Sequence, residues 1–442
     1  MARRSAKSRR YKKTVFKNGL TLLTERHPEF QSLSIGVWVK VGTRHEHPRE
    51  AGVSHFLEHM LFKGTENRSA LEIARTVDEV GGDFNAFTTR EYTCFHILLL
   101  ARDAGLGLDI LSDVVLNSDF NAAELERERK VIQQEIAMVE EAPEELVQDF
   151  YFEVIYGKHG LGRPILGTET SIRRMRRRDL LAFFRKHYRP EQTIISVSGN
   201  ISHETVKKKL RGLARKEWPG REPGQVSRKD FGFERAPKMR DGTWWIKRRT
   251  EQVHMVWGVE GVTYSSRDRF ATYLLNLYLG GGMSSQLFQE IREKHGLAYT
   301  VYSNLSSFVD AGVFSVYAAT GMKQVPLCLK LIEESVEKTK RDLLTEDELR
   351  SVKDNLKGTI LLNSDSVETR MVSIAKNQMF LERVVRVEEV CAMIDAVTAE
   401  DFRRVARKIF RHGKRSILLM GPNPTKQVRS KLKPKILTQY SK

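Results

Sequence analysis

The segment His55-Phe-Leu-Glu58-His59 carries the strongest chemical signal in the chain. Residues four apart share one face of a helix, so the two imidazoles can converge on a single ion. Glu58 stays on that side, three residues after His55, and the flanking stretch from Val53 to Lys63 is rich in helix formers and ends at Gly64. A hydrolytic zinc takes three protein donors and keeps its fourth position for water, so two imidazoles need one more ligand. Glu128 and Glu135, two turns apart on a long helical stretch, are the candidates. A carboxylate beside two imidazoles leaves the metal a Lewis acid. Glu58 would then take a proton from the attacking water and pass it to a leaving amine. A second histidine group, His45-Glu46-His47, lacks the i,i+4 spacing, precedes Pro48 and reads as a surface loop.

The flanks sharpen this reading. Gly52-Val-Ser-His-Phe-Leu-Glu-His-Met-Leu-Phe-Lys-Gly-Thr65 resembles the zinc-helix signature of the pitrilysin, insulinase and mitochondrial processing peptidase family, the inverzincins, with Ser54 where Ala is common. In that family the third ligand is a Glu about 75 residues past the second His, on a helix bearing another Glu seven residues earlier. Glu135 follows His59 with 75 residues between, and Glu128 fills the earlier place. The resemblance therefore implies that His55, His59 and Glu135 hold one zinc per chain, that Glu58 is the base, and that Glu128 supports the site from behind a ligand. Gly81-Gly-Asp-Phe-Asn-Ala-Phe-Thr88 resembles the edge strand beside the metal, where Asn85, Ala86 and Phe87 would hold an extended peptide as an added strand. Gly162-Arg-Pro-Ile-Leu-Gly167 also resembles a family landmark. Leu279-Gly-Gly-Gly-Met-Ser-Ser285, with Arg292 and Tyr299, resembles the second-half segment whose guanidinium and phenol grip the substrate carbonyl and stabilise an oxyanion. The resemblance spans roughly residues 15–423.

The elements that must position these groups occur twice. Asp179–Tyr188 has helical apolar spacing and leads into Ile194-Ile-Ser-Val-Ser-Gly199; Asp401–Phe410 leads likewise into Ser416-Ile-Leu-Leu-Met-Gly421, half a chain later. Glu124-Leu125 and Glu348-Leu349 each open a long helix, at nearly the same offset. This register sets Val352 and Thr359 opposite Glu128 and Glu135, and the second half has no H-x-x-E-H, so it cannot build the same zinc site. The fold class expected is α+β: two homologous domains, each a mostly antiparallel sheet with helices packed on one side, joined by a long linker. The boundaries read as a basic disordered tail over 1–14, a catalytic zinc-binding domain over 15–217, a Pro- and Gly-rich linker over 218–243, a metal-free domain over 244–423 and a basic tail over 424–442.

Composition bounds the remaining classes. At 442 residues the chain has room for two or three domains, and its longest apolar runs, such as Ile97–Ala101, support no transmembrane segment. The net charge of +18 sits mostly at the ends: residues 1–14 contribute +7 and 424–442 contribute +6, leaving +5 for the body. That placement favours solubilising tails over a specific nucleic-acid site, and the dense run Arg173–Arg178 reads as a solvated helix start. Cys94, Cys328 and Cys391 form no disulfide framework, which suits a reducing compartment. The expectation is a bacterial-type cytoplasmic zinc metalloendopeptidase acting on peptides or presequence-like segments, with the mitochondrial matrix as a minor alternative. Chains of this length resemble half of the larger family members, so pairing as a homodimer, or a heterodimer with a related subunit, is implied. The rival readings are a non-catalytic assembly subunit of the same family and a nucleic-acid binder acting through its tails.

Overall fold

The runs Ser32–Val39 and Thr193–Gly199 are apolar or small at almost every position instead of alternating, the pattern of strands covered on both faces. The computed structural model describes residues 11–210, 234–411 and 413–440 and places these runs inside a six-stranded sheet. Its strands are β1 (Tyr11–Val15), β2 (Thr21–Arg26), β3 (Ser32–Val39), β4 (Asp83–Thr88), β5 (Thr93–Leu100) and β6 (Thr193–Gly199), in the order β1-β2-β6-β3-β5-β4. All pairings are antiparallel except that of β2 with β6.

A second sheet repeats the plan with β7 (Gly242–Lys247), β8 (Val253–Glu260), β9 (Ala298–Ser307), β10 (Gly312–Thr320), β11 (Ser416–Gly421) and β12 (Lys435–Ile436), in the order β12-β7-β11-β8-β10-β9. Here β7 runs parallel to both β11 and β12, and the other pairs are antiparallel. Leaving out the outer strands β1 and β12, the two orders correspond strand for strand. The fold is two homologous α+β domains, as the sequence periodicity implies.

The chain forms two compact units that are not contiguous in sequence. One takes in the described residues within 1–137, 163–234 and 363–385; the other takes in those within 138–162, 235–362 and 386–442. The contiguous division at 217 and 244 therefore differs from the packing, because each sheet borrows one helix from the other half. In the first unit one sheet face packs on the large core that includes Phe56, Leu57, Leu111 and Phe184. The other face, with Leu23, Trp38, Cys94 and Ile194, is covered by Met371, Ile374 and Ala375 of helix Val367–Leu381. In the second unit helix Pro143–Tyr156 plays the same part, setting Val147, Tyr151 and Ile155 against Ile246, Val256 and Leu418. The borrowed helices begin at Pro143 and Val367, the same offset that separates Glu124 from Glu348, so the exchange belongs to the repeat itself.

The terminal assignments need correction. Residues 11–14 of the expected N-terminal tail lie in β1, paired with β2; residues 1–10 fall outside the described residues. The stretch 424–440 is ordered. Helix Lys426–Leu432 buries Val428, β12 pairs with β7, Leu437 N–H donates to the Trp245 carbonyl, and the Tyr440 ring lies 4.9 Å from Phe150. Apolar residues threaded between the lysines supply the anchoring. Residues 218–233 of the expected linker lie outside the described residues, and its last residues lead into β7 at Gly242.

Candidate metal centre

Helix Val53–Leu61 buries Val53, Phe56, Leu57, Met60 and Leu61, a stripe at helical spacing that points into the core. That leaves His55, Glu58 and His59 on the remaining face. Helix Ala122–Glu141 buries Leu125, Glu128 and Ile132 and presents Glu135 one turn beyond Ile132. His55, His59 and Glu135 form a cluster of three metal-capable side chains, with one donor atom from each within 4.8 Å of the others. Glu135 Oε2 stands 3.7 Å from His55 Nε2 and 3.6 Å from His59 Nε2. Tetrahedral zinc with bonds of 2.0–2.1 Å separates its donor atoms by roughly 3.3–3.4 Å, so two imidazoles and a carboxylate at these distances fit that ion.

Glu128 stands behind the cluster. Its Oε2 lies 2.9 Å from His59 Nδ1, which leaves Nε2 to face Glu135, and its Oε1 pairs with Lys63 Nζ at 2.8 Å. A carboxylate on the far nitrogen of a ligating histidine orients the ring and raises its basicity. Burial, followed by the neighbouring His59, pushes the His55 imidazole down to about 3, keeping it in the neutral form that binds metal.

Glu58 sits beside the cluster, and its carboxylate accepts a hydrogen bond from the Thr88 hydroxyl on β4. Burial pushes the Glu58 carboxyl above its ordinary value, against the lowering effect of that bond. The strand that holds Glu58 is a sheet edge. β4 pairs on one side with β5, setting Asn85 opposite His96, Ala86 opposite Phe95 and Phe87 opposite Cys94; no described strand pairs with its other side. Phe84 of this strand contacts Phe62, just past the metal helix, with ring centroids 4.5 Å apart.

In the second unit Arg292 belongs to a short π-helical segment, Phe288–Lys294, a local widening often found at functional sites. Its guanidinium stacks 4.6 Å from the Phe288 ring and 4.5 Å from the Tyr299 ring, and Tyr299 is 77% exposed. The two residues singled out in this half are thus neighbours. The ion pair of Arg292 with Glu293 is long, at 3.8 Å.

Three site neighbours escape the sequence reading. Thr88 ends the quoted Gly81–Thr88 segment, yet nothing in the pattern ties it to Glu58. Lys63 looks like an ordinary helix-end lysine. Glu46 is the plain error: it is 4% exposed rather than part of a surface loop, and its carboxylate accepts hydrogen bonds from Gly52 and Ser54 of the metal helix. His45 beside it is half-buried, and only His47 of that trio is exposed.

The H-x-x-E-H helix, with Glu135 beside it, lies in a fold of two repeated six-stranded sheets. Residues 21–169 match the insulinase (peptidase family M16) profile and residues 174–356 match that of the peptidase M16 inactive domain. The chain belongs to peptidase family M16. It is 37% identical to the uncharacterized zinc protease YmxG of Bacillus subtilis (strain 168), over 90% of this chain and 95% of that one. It is 36% identical to the uncharacterized zinc protease SCO5738 of Streptomyces coelicolor, over 94% and 90%. Among solved structures, a peptidase M16 inactive domain from Pseudomonas fluorescens matches with a TM-score of 0.85 at 20% identity, covering 93% of this chain and 98% of that one. A protease from Helicobacter pylori matches with a TM-score of 0.85 at 21% identity, covering 93% and 99%. Among the described residues no helix is long and apolar enough to cross a membrane.

Proposed function

We propose that the protein is a zinc-dependent metalloendopeptidase that hydrolyses peptides or presequence-like segments. The observation that carries this reading is the convergence of His55, His59 and Glu135 donors, with the carboxylate of Glu58 close enough to feel the charges of His59 and Glu135. The family's zinc proteases support it at the coarser level. Held by those three ligands, zinc supplies Lewis acidity at the scissile carbonyl.

The chain's own groups do the rest. Glu58 takes the proton of the attacking water and returns it to the departing amine, and its raised carboxyl pKa suits both transfers. The open side of β4, along Asn85, Ala86 and Phe87, pairs with the peptide backbone, which allows varied side chains to be accepted. Arg292 and Tyr299 are assigned to the substrate carbonyl, where a guanidinium and a phenol stabilise developing negative charge. One zinc per chain, pairing with a second copy or a related subunit, and a reducing, cytoplasmic setting consistent with three free thiols complete the reading.

Hydrolysis of an internally quenched, unstructured peptide tests it. A chelator should abolish turnover and stoichiometric zinc should restore it. Undiminished turnover by protein shown to be stripped of metal would overturn the proposal.

A further inference from the structure

The N-terminus of the metal helix is held from outside the helix. Its N-cap is Gly52, with a left-handed backbone (φ +90°) and no side chain to satisfy the first N–H groups. A Cβ there would stand 2.7 Å from the Leu166 carbonyl oxygen and 2.9 Å from Gly167 Cα, so the usual capping residues Ser, Thr, Asp and Asn have no room. Glu46 supplies the cap instead. Its Oε2 accepts the Gly52 N–H and its Oε1 the Ser54 N–H, each at 2.9 Å. Arg163 donates to the Glu46 carbonyl oxygen, and Gly167 packs against Ala51 and Gly52. Residues 163–167 of the family landmark noted in the sequence are therefore the outer wall of this clamp.

The two ligating histidines differ in how they are held. His59 is oriented through Nδ1 by Glu128. His55 Nδ1 is buried and has no hydrogen-bond partner among the described residues. The ring of His55 is therefore placed by the turn that carries it, and Ser54, the residue just before it, is where Glu46 grips. Holding a carboxylate in a fully buried place is costly, and burial pushes this one up to about 7 against the hydrogen bonds it accepts.

We infer that Glu46 is a positioning residue of the metal centre: by bridging the Gly52 and Ser54 N–H groups it fixes the first turn of the helix, so that His55 meets the same ion as His59 and Glu135. The inference rests on the zinc-peptidase reading above. Glu46→Gln keeps the shape, but its carboxamide accepts only one of the two N–H groups and turns a donor toward the other. Glu46→Asp keeps the charge but is too short to span both.

In the full-length protein, zinc affinity is read by competition with a chromogenic chelator, kcat and KM by peptide hydrolysis at saturating zinc, and Tm on the metal-free chain. Glu46→Gln should bind zinc about tenfold more weakly, the loss typical when a group orienting a ligand is removed. Its kcat should fall while KM stays within about twofold, and Glu46→Asp should lie between it and wild type. Should Glu46→Gln give no folded protein, Glu46→Asp carries the same comparison. Wild-type zinc affinity and kcat in a folded variant, whatever its Tm, would make Glu46 merely structural and overturn the inference while leaving the peptidase reading intact. A wild-type chain that binds no zinc overturns the peptidase reading and this inference with it.

Discussion

Glu128 and Glu135 share a face of one helix, yet they meet different atoms of the histidine pair. Glu135 faces both Nε2 atoms, whereas Glu128 meets His59 Nδ1 and is neutralised by Lys63. Spacing alone could not separate the two carboxylates, because seven residues is two full turns; the family resemblance ranked them. The H-x-x-E-H group was legible because i,i+4 geometry is local. Glu46 was not, because a cap reaching six residues forward across a loop leaves no periodic trace. The ranking has a direct consequence. Glu135→Gln should lose zinc and activity together, since two histidines hold zinc weakly. Glu128→Gln should keep the metal and lose about 10–100-fold in affinity or rate. Metal analysis of both purified variants checks this, and equal zinc loss in the two would reverse the assignment.

At the scale of elements, the informative feature is the helix Val367–Leu381, which covers the second face of the first sheet. The uninterrupted apolar character of β3 and β6 accords with two covered faces, whereas the sequence reading set helices on one side of each sheet. What covers the second one could not be read, because the helix lies in the other half of the sequence. Its anchor is a buried ion pair, with Arg370 donating to both oxygens of Glu25 through Nε at 2.9 Å and Nη2 at 2.5 Å. Burial alone would raise the Glu25 carboxyl, but hydrogen bonds from His27 and Arg370 outweigh it and leave the group below its ordinary value. Arg370→Ala strands a buried carboxylate and should cost about 3 kcal/mol of stability near neutral pH, measured by denaturant unfolding. A lowered folded pKa means that the pair's contribution is full above the ordinary carboxylate range and lost as pH falls through the folded value. The gap between wild type and variant should therefore close on acidification; a gap that widens in acid would contradict this account of the pair.

For the whole molecule, the duplication was legible from the recurrence of helix-then-strand segments half a chain apart, and the sheet orders repeat it. The exchange of helices was not, because contiguous reading assigns each segment to the half in which it occurs. Lysine content likewise hid the order in 426–440, where Val428 and Leu437 do the anchoring. The exchange changes what a truncation should do. A fragment of residues 1–217 lacks 363–385 and bares Leu23, Trp38, Cys94 and Ile194. It should bind an apolar dye, associate, and unfold without cooperativity; a monomeric fragment with a cooperative transition would show that the borrowed helix is dispensable. The central claim, that a zinc held by His55, His59 and Glu135 works with Glu58 as its base, is tested most directly by measuring zinc content and peptide hydrolysis on the same sample of full-length Glu58→Gln protein. The expected result is about one zinc per chain with hydrolysis abolished, because the proton acceptor is gone while all three ligands remain. A zinc-loaded Glu58→Gln protein that turns over peptide at the wild-type rate would contradict the account.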